Sequence, residues 1–304
     1  MINKQPLVSV AMATYNGEKY LKEQLDSILH QTYKNIELII TDDGSSDNTV
    51  QLINAYQQKY PQISLFVNKS NTGVTKTFEH SIKECKGEWI ALADQDDLWE
   101  PNKIELLINE TGIEDALYSN SLLVDKNGVS LQKEFSSLMN LRSYYSGAPF
   151  FLGNCIPGHT VLMKADFARR ILPFPPNVMF DRWISFCASS NNGLKYVDAV
   201  LVKYRQHETN TVGVGRSKNR NEKITRRQKF EIKLQELKAY EKATINDEET
   251  RILLRKLIAL FTRQWSFKRS VFFFTNMDKI LVVKNKSGLR KILFCIKMFF
   301  KANY

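Results

Sequence analysis

From Leu7 to about residue 110, short apolar runs alternate with stretches of helical period. Leu7 to Ala13 (LVSVAMA) reads as a strand, and Thr14-Tyr15-Asn16-Gly17 as the turn after it. Tyr20, Leu21, Leu25, Ile28 and Leu29 then fall on one side of a helix over Glu18 to His30. Ile36 to Thr41 (IELIIT) is a second buried strand and ends in Asp42-Asp43-Gly44-Ser45-Ser46-Asp47. A helix from about Asn48 to Lys59, with Val50, Leu52, Ile53 and Tyr56 apolar, leads to a third strand at Ile63 to Asn68. The turn Asn71-Thr72-Gly73 is followed by a helix over Val74 to Cys85, and then by the apolar run Trp89 to Ala93. That run stops at Asp94-Gln95-Asp96-Asp97. Asp97, with Pro101 downstream, suits the N-cap of another helix. Strands alternating with helices through short connections predict a parallel sheet with covering helices, an α/β architecture.

Residues 115–202 are less regular. Ala116 to Val124 and Val161 to Met163 suit strands, with a hairpin-type turn at Asp125-Lys126-Asn127-Gly128. Phe135 to Phe151 reads as a loop, and Lys195 to Lys203 as one more apolar strand. The tail predicts helices: a basic polar one over 214–246 (Ile224, Phe230, Leu234, Leu237, Tyr240) and an apolar-rich one over 249–275 that includes Trp265. Ile280 to Val283 is short and apolar, and Leu289 to Lys301 mixes large apolar residues with lysine and arginine. These patterns divide the chain into a unit over residues 1–213, with halves at 1–110 and 111–213, and a basic helical region over 214–304.

Charge sharpens that division. Residues 1–213 hold 20 Lys+Arg against 24 Asp+Glu, and residues 214–304 hold 23 against 8. The asymmetry points to an anionic partner for the tail, membrane lipid or nucleic acid. Nucleic acid is disfavoured, because no stacking platform or recognised binding module accompanies the charge. No run reaches the roughly 18 apolar residues of a spanning helix, and no charged-then-apolar leader precedes Pro6. Cys85, Cys155, Cys187 and Cys295 are far apart and lack zinc-type spacing, so reduced thiols and a cytoplasmic location are expected.

The candidate chemistry gathers at strand ends, where open α/β sheets hold their ligands. Three carboxylates within four residues, Asp94, Asp96 and Asp97, repel one another, and their hard oxygens favour Mg²⁺ or Mn²⁺ with phosphates completing the shell. The plainer alternative is a solvated acidic turn. Dinucleotide and P-loop glycine motifs are absent. Asp181 sits beside Trp183 at the start of a helical pattern, where an acid can be held ionised and dry, or can simply cap the helix. Arg205 and His207 lie two apart at a strand end, so they are expected on one side, able to hold a diphosphate, with His207 also able to reach a metal. His159 reads as a hydrogen-bonded structural histidine, with a substrate-facing role as the alternative.

Taken in order, Thr14-Tyr15-Asn16, Ser27-Ile28-Leu29-His30-Gln31-Thr32-Tyr33, Glu37 to Asp47, Asn71-Thr72-Gly73, Gly87-Glu88-Trp89-Ile90 and Asp94-Gln95-Asp96-Asp97 resemble the family-2 glycosyltransferases of GT-A fold. The resemblance covers about residues 7–110. It implies a Rossmann-like nucleotide-diphospho-sugar transferase with a mostly parallel sheet and, here, a C-terminal helical extension. It places Thr14, Tyr15 and Asn16 against the nucleotide, Asp43 on the pyrimidine N3–H, Asp94 and Gln95 near the ribose, and Asp96 on Mn²⁺ or Mg²⁺. Asp181 matches the base that takes the acceptor proton in an inverting transfer. Tyr204-Arg205-Gln206-His207, with Asn210 and Gly213, is similar to rhamnosyltransferases of bacterial surface polysaccharides, which have Gly where this chain has Glu208. The expectation is therefore a metal-dependent inverting glycosyltransferase. Its donor is a nucleoside-diphosphate sugar, dTDP-rhamnose first and UDP-hexoses second, and its acceptor a glycan or lipid-linked hydroxyl. The tail is expected on the inner membrane face, with packing on the catalytic domain or a homodimer contact as the alternatives. A catalytically idle nucleotide-binding scaffold and a nucleotidyltransferase stay open as alternatives.

Overall fold

The computed structural model describes residues 5–207, 226–261 and 266–300. Ile224, Trp265 and the Glu208 to Gly213 part of the last motif lie outside the described residues. The first half follows the predicted alternation. Strands β1 (Val8–Thr14), β2 (Ile36–Asp42), β3 (Ile63–Val67) and β4 (Trp89–Ala93) alternate with helices α1 (Glu18–Leu29), α2 (Thr49–Gln57) and α3 (Val74–Glu84). These strands pair in parallel in the order β3-β2-β1-β4.

The pleat explains the register. Val8, Val10 and Met12 of β1 share a core with Leu38 and Ile40 of β2 and Ala91 and Ala93 of β4, under α1 and α2. Ala11, Ile39, Ile90 and Leu92 point to the opposite core, which α3 covers with Phe78 and Ile82. Val10 is level with both Leu38 and Ala91. A slip of one residue would turn every one of these side chains to the wrong layer. Because both faces are covered, the strands read as continuous apolar runs and not as alternating ones.

Beyond β4 the sheet becomes mixed. It continues through β5 (Leu98–Trp99), β6 (Ala116–Val124), β7 (Ser130–Glu134), β8 (Val161–Lys164) and β9 (Leu194–Arg205). The full order is β3-β2-β1-β4-β8-β6-β9-β5, with β7 also on β6. β8 runs antiparallel to β4 and β6, and β9 runs parallel to β6. Helices α4 (Lys103–Asn109), α5 (Ala165–Arg170) and α6 (Phe180–Ser189) complete the layers. The expected helix start at Asp97 is corrected here. Asp97 leads into β5, which pairs with Val202 and Lys203 of β9, and α4 begins at Lys103 with Asn102 as its N-cap.

The C-terminal region folds as α7 (Arg226–Tyr240), α8 (Glu248–Phe261), α9 (Phe267–Thr275), α10 (Met277–Ile280) and α11 (Gly288–Phe300). Leu237, Tyr240, Leu254, Leu257 and Val283 belong to the same core as Trp183 and Ile184 of α6. Tyr240 lies parallel to Trp183, with ring centroids 6.0 Å apart. Arg182 locks the junction: it donates Nε–H to the Phe150 carbonyl at 2.9 Å and Nη2–H to that of Phe151 at 2.5 Å, and pairs with Glu236 at 2.8 Å. Removing one partner of a buried ion pair leaves polar groups without compensation. Arg182→Ala is therefore expected to lower the unfolding free energy by about 3–5 kcal/mol. Urea unfolding of the full chain measures this, and a loss under about 1 kcal/mol would put the junction among surface-type ion pairs.

Candidate active site

Three neighbouring parallel strands end at one edge of the sheet: β1 and β2 level, with Thr14 opposite Asp42, and β4 two residues earlier, with Ala93 opposite Met12. Their following loops meet above the sheet edge. Gln95 clamps the first of them, accepting the Tyr15 N–H at 2.8 Å and donating its amide to the Tyr15 carbonyl at 3.1 Å. Gly17 makes this possible, since a Cβ there would lie 2.3 Å from Gln95 Oε1. Asn16 adopts the left-handed conformation (φ 47°), which asparagine tolerates. Its side-chain oxygen accepts the Ser46 N–H at 2.9 Å, and its own N–H donates to Ser45 Oγ at 2.8 Å.

The paired acids after β2 hold loops. Asp42 is fully buried and accepts the Thr14 hydroxyl at 2.9 Å and the Ser45 N–H and hydroxyl at 2.8 and 2.6 Å. The Thr14 hydroxyl is thus turned into the protein. Asp43 Oδ1 accepts from the Asn68 amide and from the N–H and hydroxyl of Thr72, and Oδ2 from the Gly73 N–H. Burial alone would raise its pKa, but these donors outweigh that and hold it below the ordinary 3.8. Asp43 also faces the cavity, so anchoring the Asn68–Gly73 loop and meeting a ligand are compatible roles.

The acids after β4 have separate supports. Asp96 Oδ2 lies 2.7 Å from His207 Nε2, and the Asp96 carbonyl accepts Arg205 Nε–H at 2.8 Å. Asp97 is fully buried and accepts the Arg205 backbone N–H at 3.0 Å. His159 Nδ1 stands 3.1 Å from Asp97 and 3.4 Å from Asp94, while its Nε2 meets Ser121 Oγ at 3.0 Å. Burial disfavours a charged His159, yet Asp97 and Asp94 outweigh it and raise its pKa above the ordinary 6.5. Beneath them Lys103 is fully buried, donating to the His159 carbonyl at 2.6 Å from a position 3.4 Å above the Trp99 ring. Its burial lowers its pKa well below the ordinary value, against the pull of Asp97 and Asp94.

Arg205 and His207 come together as expected but take different places: both pack on Tyr20 and both reach Asp96, Arg205 at its carbonyl and His207 at its carboxylate. His207 lines the cavity, whereas Arg205 is 1% exposed behind it, bonded to the Asp96 and Lys126 carbonyls and to Glu23. His159 is held by Ser121 and Asp97 and also forms part of the cavity wall beside Asp94, so its two readings from sequence are compatible. Lys103 and Lys284 gave no local signal, because each acquires its place through contacts distant in sequence.

All these loops surround one cavity of about 950 Å³. Its lining includes Asp181, in the first turn of α6, which accepts the Arg182 N–H at 2.6 Å. Burial pushes Asp181 up to about 6, with the Arg182 N–H opposing and Asp94 adding to the rise. Gly158 packs on α6: a Cβ there would stand 2.9 Å from the Phe180 ring and 3.8 Å from Asp181 Cβ. Four aspartates, Asp43, Asp94, Asp96 and Asp181, line the cavity, against one lysine, Lys284, among the described lining residues.

Residues 9–170 match the family model described as glycosyl transferase family 2. The chain belongs to this family. An uncharacterized glycosyltransferase of Rickettsia typhi is 32% identical over 216 residues, 68% of this chain and 66% of that relative's length. Among solved structures, S. aureus TarS 1-349 in complex with UDP-GlcNAc aligns with a TM-score of 0.61 at 19% identity, over 97% of this chain and 81% of that one. The mannosyltransferase PcManGT of Pyrobaculum calidifontis, in complex with GDP-Man and Mn²⁺, aligns at 0.51 and 14%, over 97% and 80%. These likenesses establish a GT-A fold with C-terminal helices. At such identities they carry the fold alone.

As a family-2 glycosyltransferase the chain has a donor set suited to a hard divalent ion. Asp96 and His207 stand 2.7 Å apart on the cavity wall, beside Asp94. Oxygen donors with one imidazole, open to phosphates and water, fit Mn²⁺ or Mg²⁺. Asp94, Asp97 and His159 bring three further ligand-type atoms within 4.8 Å of one another, but Asp97 and His159 are buried and already face each other.

Asp43 yields a stability prediction. Asp43→Ala removes the charged acceptor shared by Asn68, Thr72 and Gly73, and is expected to cost about 1.5–3 kcal/mol at neutral pH. Because the folded pKa is depressed, this contribution is present above about 3.8 and lost as pH falls through the lower folded value. Urea unfolding of wild type and Asp43→Ala at neutral and acidic pH should therefore show the gap closing toward acid.

Proposed function

We propose that this protein moves a sugar from a nucleoside-diphosphate sugar to a hydroxyl of a glycan or lipid-linked acceptor, with inversion. The carrying observation is what one cavity brings together: an acid–histidine pair suited to a divalent ion, Asp96 and His207, and a separate carboxylate, Asp181, in the same lining. A transfer needs both, since charge gathers on the leaving diphosphate while a proton leaves the acceptor.

Tyr15, Asn16 and Asp43 border the part of the cavity that suits the nucleotide, and Gln95 fixes that loop against Asp94 and Asp96. A bound Mn²⁺ or Mg²⁺ supplies positive charge against the departing diphosphate. Asp96 and His207 are the residues that would hold it. Arg205 acts one layer back, orienting Asp96 through its carbonyl. Asp181 accepts the acceptor proton. The acceptor oxygen bonds to the anomeric carbon as the carbon–oxygen bond to the diphosphate breaks, and the electron pair leaves with the diphosphate. Lys284, at the cavity rim, suits a phosphate of donor or acceptor.

For the donor we favour dTDP-rhamnose, with UDP-hexoses next, on the Tyr204-Arg205-Gln206-His207 pattern. The setting we infer is bacterial surface-polysaccharide synthesis at the cytoplasmic face of the membrane. The +15 imbalance of residues 214–304 (23 Lys+Arg against 8 Asp+Glu) supports an anionic surface as partner. Among the described residues no helix is long and apolar enough to cross a membrane.

Calorimetric titration with dTDP-rhamnose, UDP-glucose, UDP-galactose, UDP-N-acetylglucosamine and GDP-mannose, with and without Mn²⁺ or Mg²⁺, tests the donor side. One donor should bind in a metal-dependent manner, and Asp96→Ala should abolish the dependence. Binding without turnover toward any acceptor would instead fit an idle scaffold.

Asp181 makes the second prediction. Its carboxylate is the working form, so kcat/KM should be full above about 6 and fall as pH drops through that value. Asp181→Asn should lower kcat by about 10²–10⁴-fold with donor binding retained. Wild-type turnover in that variant would remove Asp181 as the base.

A further inference from the structure

Helices α9 and α11 lie side by side, with the Phe273 and Phe294 rings 5.6 Å apart. Their inner faces bury Phe272, Phe273, Cys295 and Met298. Arg269 ties the pair together from within, donating to the carbonyls of Met298 at 2.7 Å and Leu260 at 3.0 Å. The outer faces are apolar too. On α9, Phe267, Val271 and Phe274 are 72, 43 and 53% exposed. On α11, Leu289, Leu293 and Ile296 are 68, 48 and 54% exposed. Both trios follow i, i+4, i+7 spacing, which makes a solvent-facing apolar stripe on each helix. Exposed apolar stripes on two packed helices mark an interaction surface.

The charges around the stripes select the partner. The two helices carry Lys268, Arg269, Arg290, Lys291 and Lys297 and no acidic residue. Lys268, Arg290 and Lys297 are exposed. A second copy docked on this face by a two-fold axis would bring lysine toward lysine. An anionic lipid surface offers apolar depth for the stripes and negative headgroups for their flanks. We propose that the exposed faces of α9 and α11 seat this protein on an anionic lipid bilayer.

The placement also orients the cavity. α11 begins at Gly288, four residues after Lys284 at the cavity rim. That short link is fixed, because Lys284 bridges to Met139 and the Val282 and Val283 carbonyls accept hydrogen bonds from Asn140. Seating α11 on lipid therefore keeps the rim that carries Lys284 close to the headgroup layer, where a lipid-linked acceptor presents its phosphate. This deepens the membrane part of the function proposed above, and its test reads lipid binding without turnover, so the two can fail separately.

The test is flotation of the full chain with phosphatidylglycerol/phosphatidylcholine vesicles and with phosphatidylcholine vesicles alone. Wild type should float with the anionic vesicles only. The double variant Leu293→Glu/Ile296→Glu should bind more than about tenfold more weakly, with nucleotide-sugar binding and thermal unfolding unchanged. Lys268→Glu/Lys297→Glu should weaken binding as well, and raised salt should weaken wild type. Three results would each overturn the proposal: no flotation of wild type, equal flotation of Leu293→Glu/Ile296→Glu, or a lipid-free dimer that this double variant splits.

Discussion

Repulsion among carboxylates is the condition the rest of the site answers. Asp94, Asp96 and Asp97 follow one another at the end of β4, and Asp43 and Asp181 line the same cavity. Two like charges about 4 Å apart in a partly shielded interior repel by roughly 4 kcal/mol. The fold brings nitrogen-bearing groups from distant elements to this cluster: His159 against Asp97 and Asp94, Lys103 under His159 and Arg205 behind Asp96 from the protein side, and His207 on Asp96 at the cavity wall. Each acid is held from the protein side, so the cavity side of the cluster stays oriented toward a ligand. Groups fixed in this way do not have to reorganise when charge develops nearby, which is what gives preorganised dipoles and charges their effect in catalysis.

How much of this was legible depends on the range of the interactions. The first half is written locally. Apolar runs that feed both faces of a sheet, helices of clear period and acidic turns at strand ends are all short-range signals, and β1 to β4 with α1 to α3 follow them. The clustering of Asp43, Asp94 and Asp96 then follows from topology alone, because parallel neighbours end on the same edge. Asp97 shows where the local rule stops. An aspartate upstream of a proline looks like a cap, but pairing between Leu98 and Lys203 pulls that segment into the sheet. No window of sequence contains both partners. Arg205 shows the same limit: its backbone N–H goes to Asp97 and its guanidinium to the Asp96 and Lys126 carbonyls and to Glu23, partners far from it in sequence.

The C-terminal region is the part least legible from sequence and the most closely tied to the chemistry. Its basic composition names no contact with the rest of the chain, and α7 holds the very helix that carries Asp181. Arg182, next to Asp181, is clamped between the Phe150 and Phe151 carbonyls and Glu236 of α7, and Trp183 stacks on Tyr240. Gly158 presses on the same helix from the sheet side. The proposed base is therefore positioned by a helix gripped on two sides, once by the segment that carries Gly158 and once by the tail. A misplacement of about 1 Å at a reacting group can cost on the order of 10²-fold in rate. Any force on the tail, such as contact with a surface, acts on the junction that sets where Asp181 points. The basic helices and the acidic cavity, opposite in charge and far apart in sequence, are thus parts of one mechanical unit, and α6 is the element through which they meet.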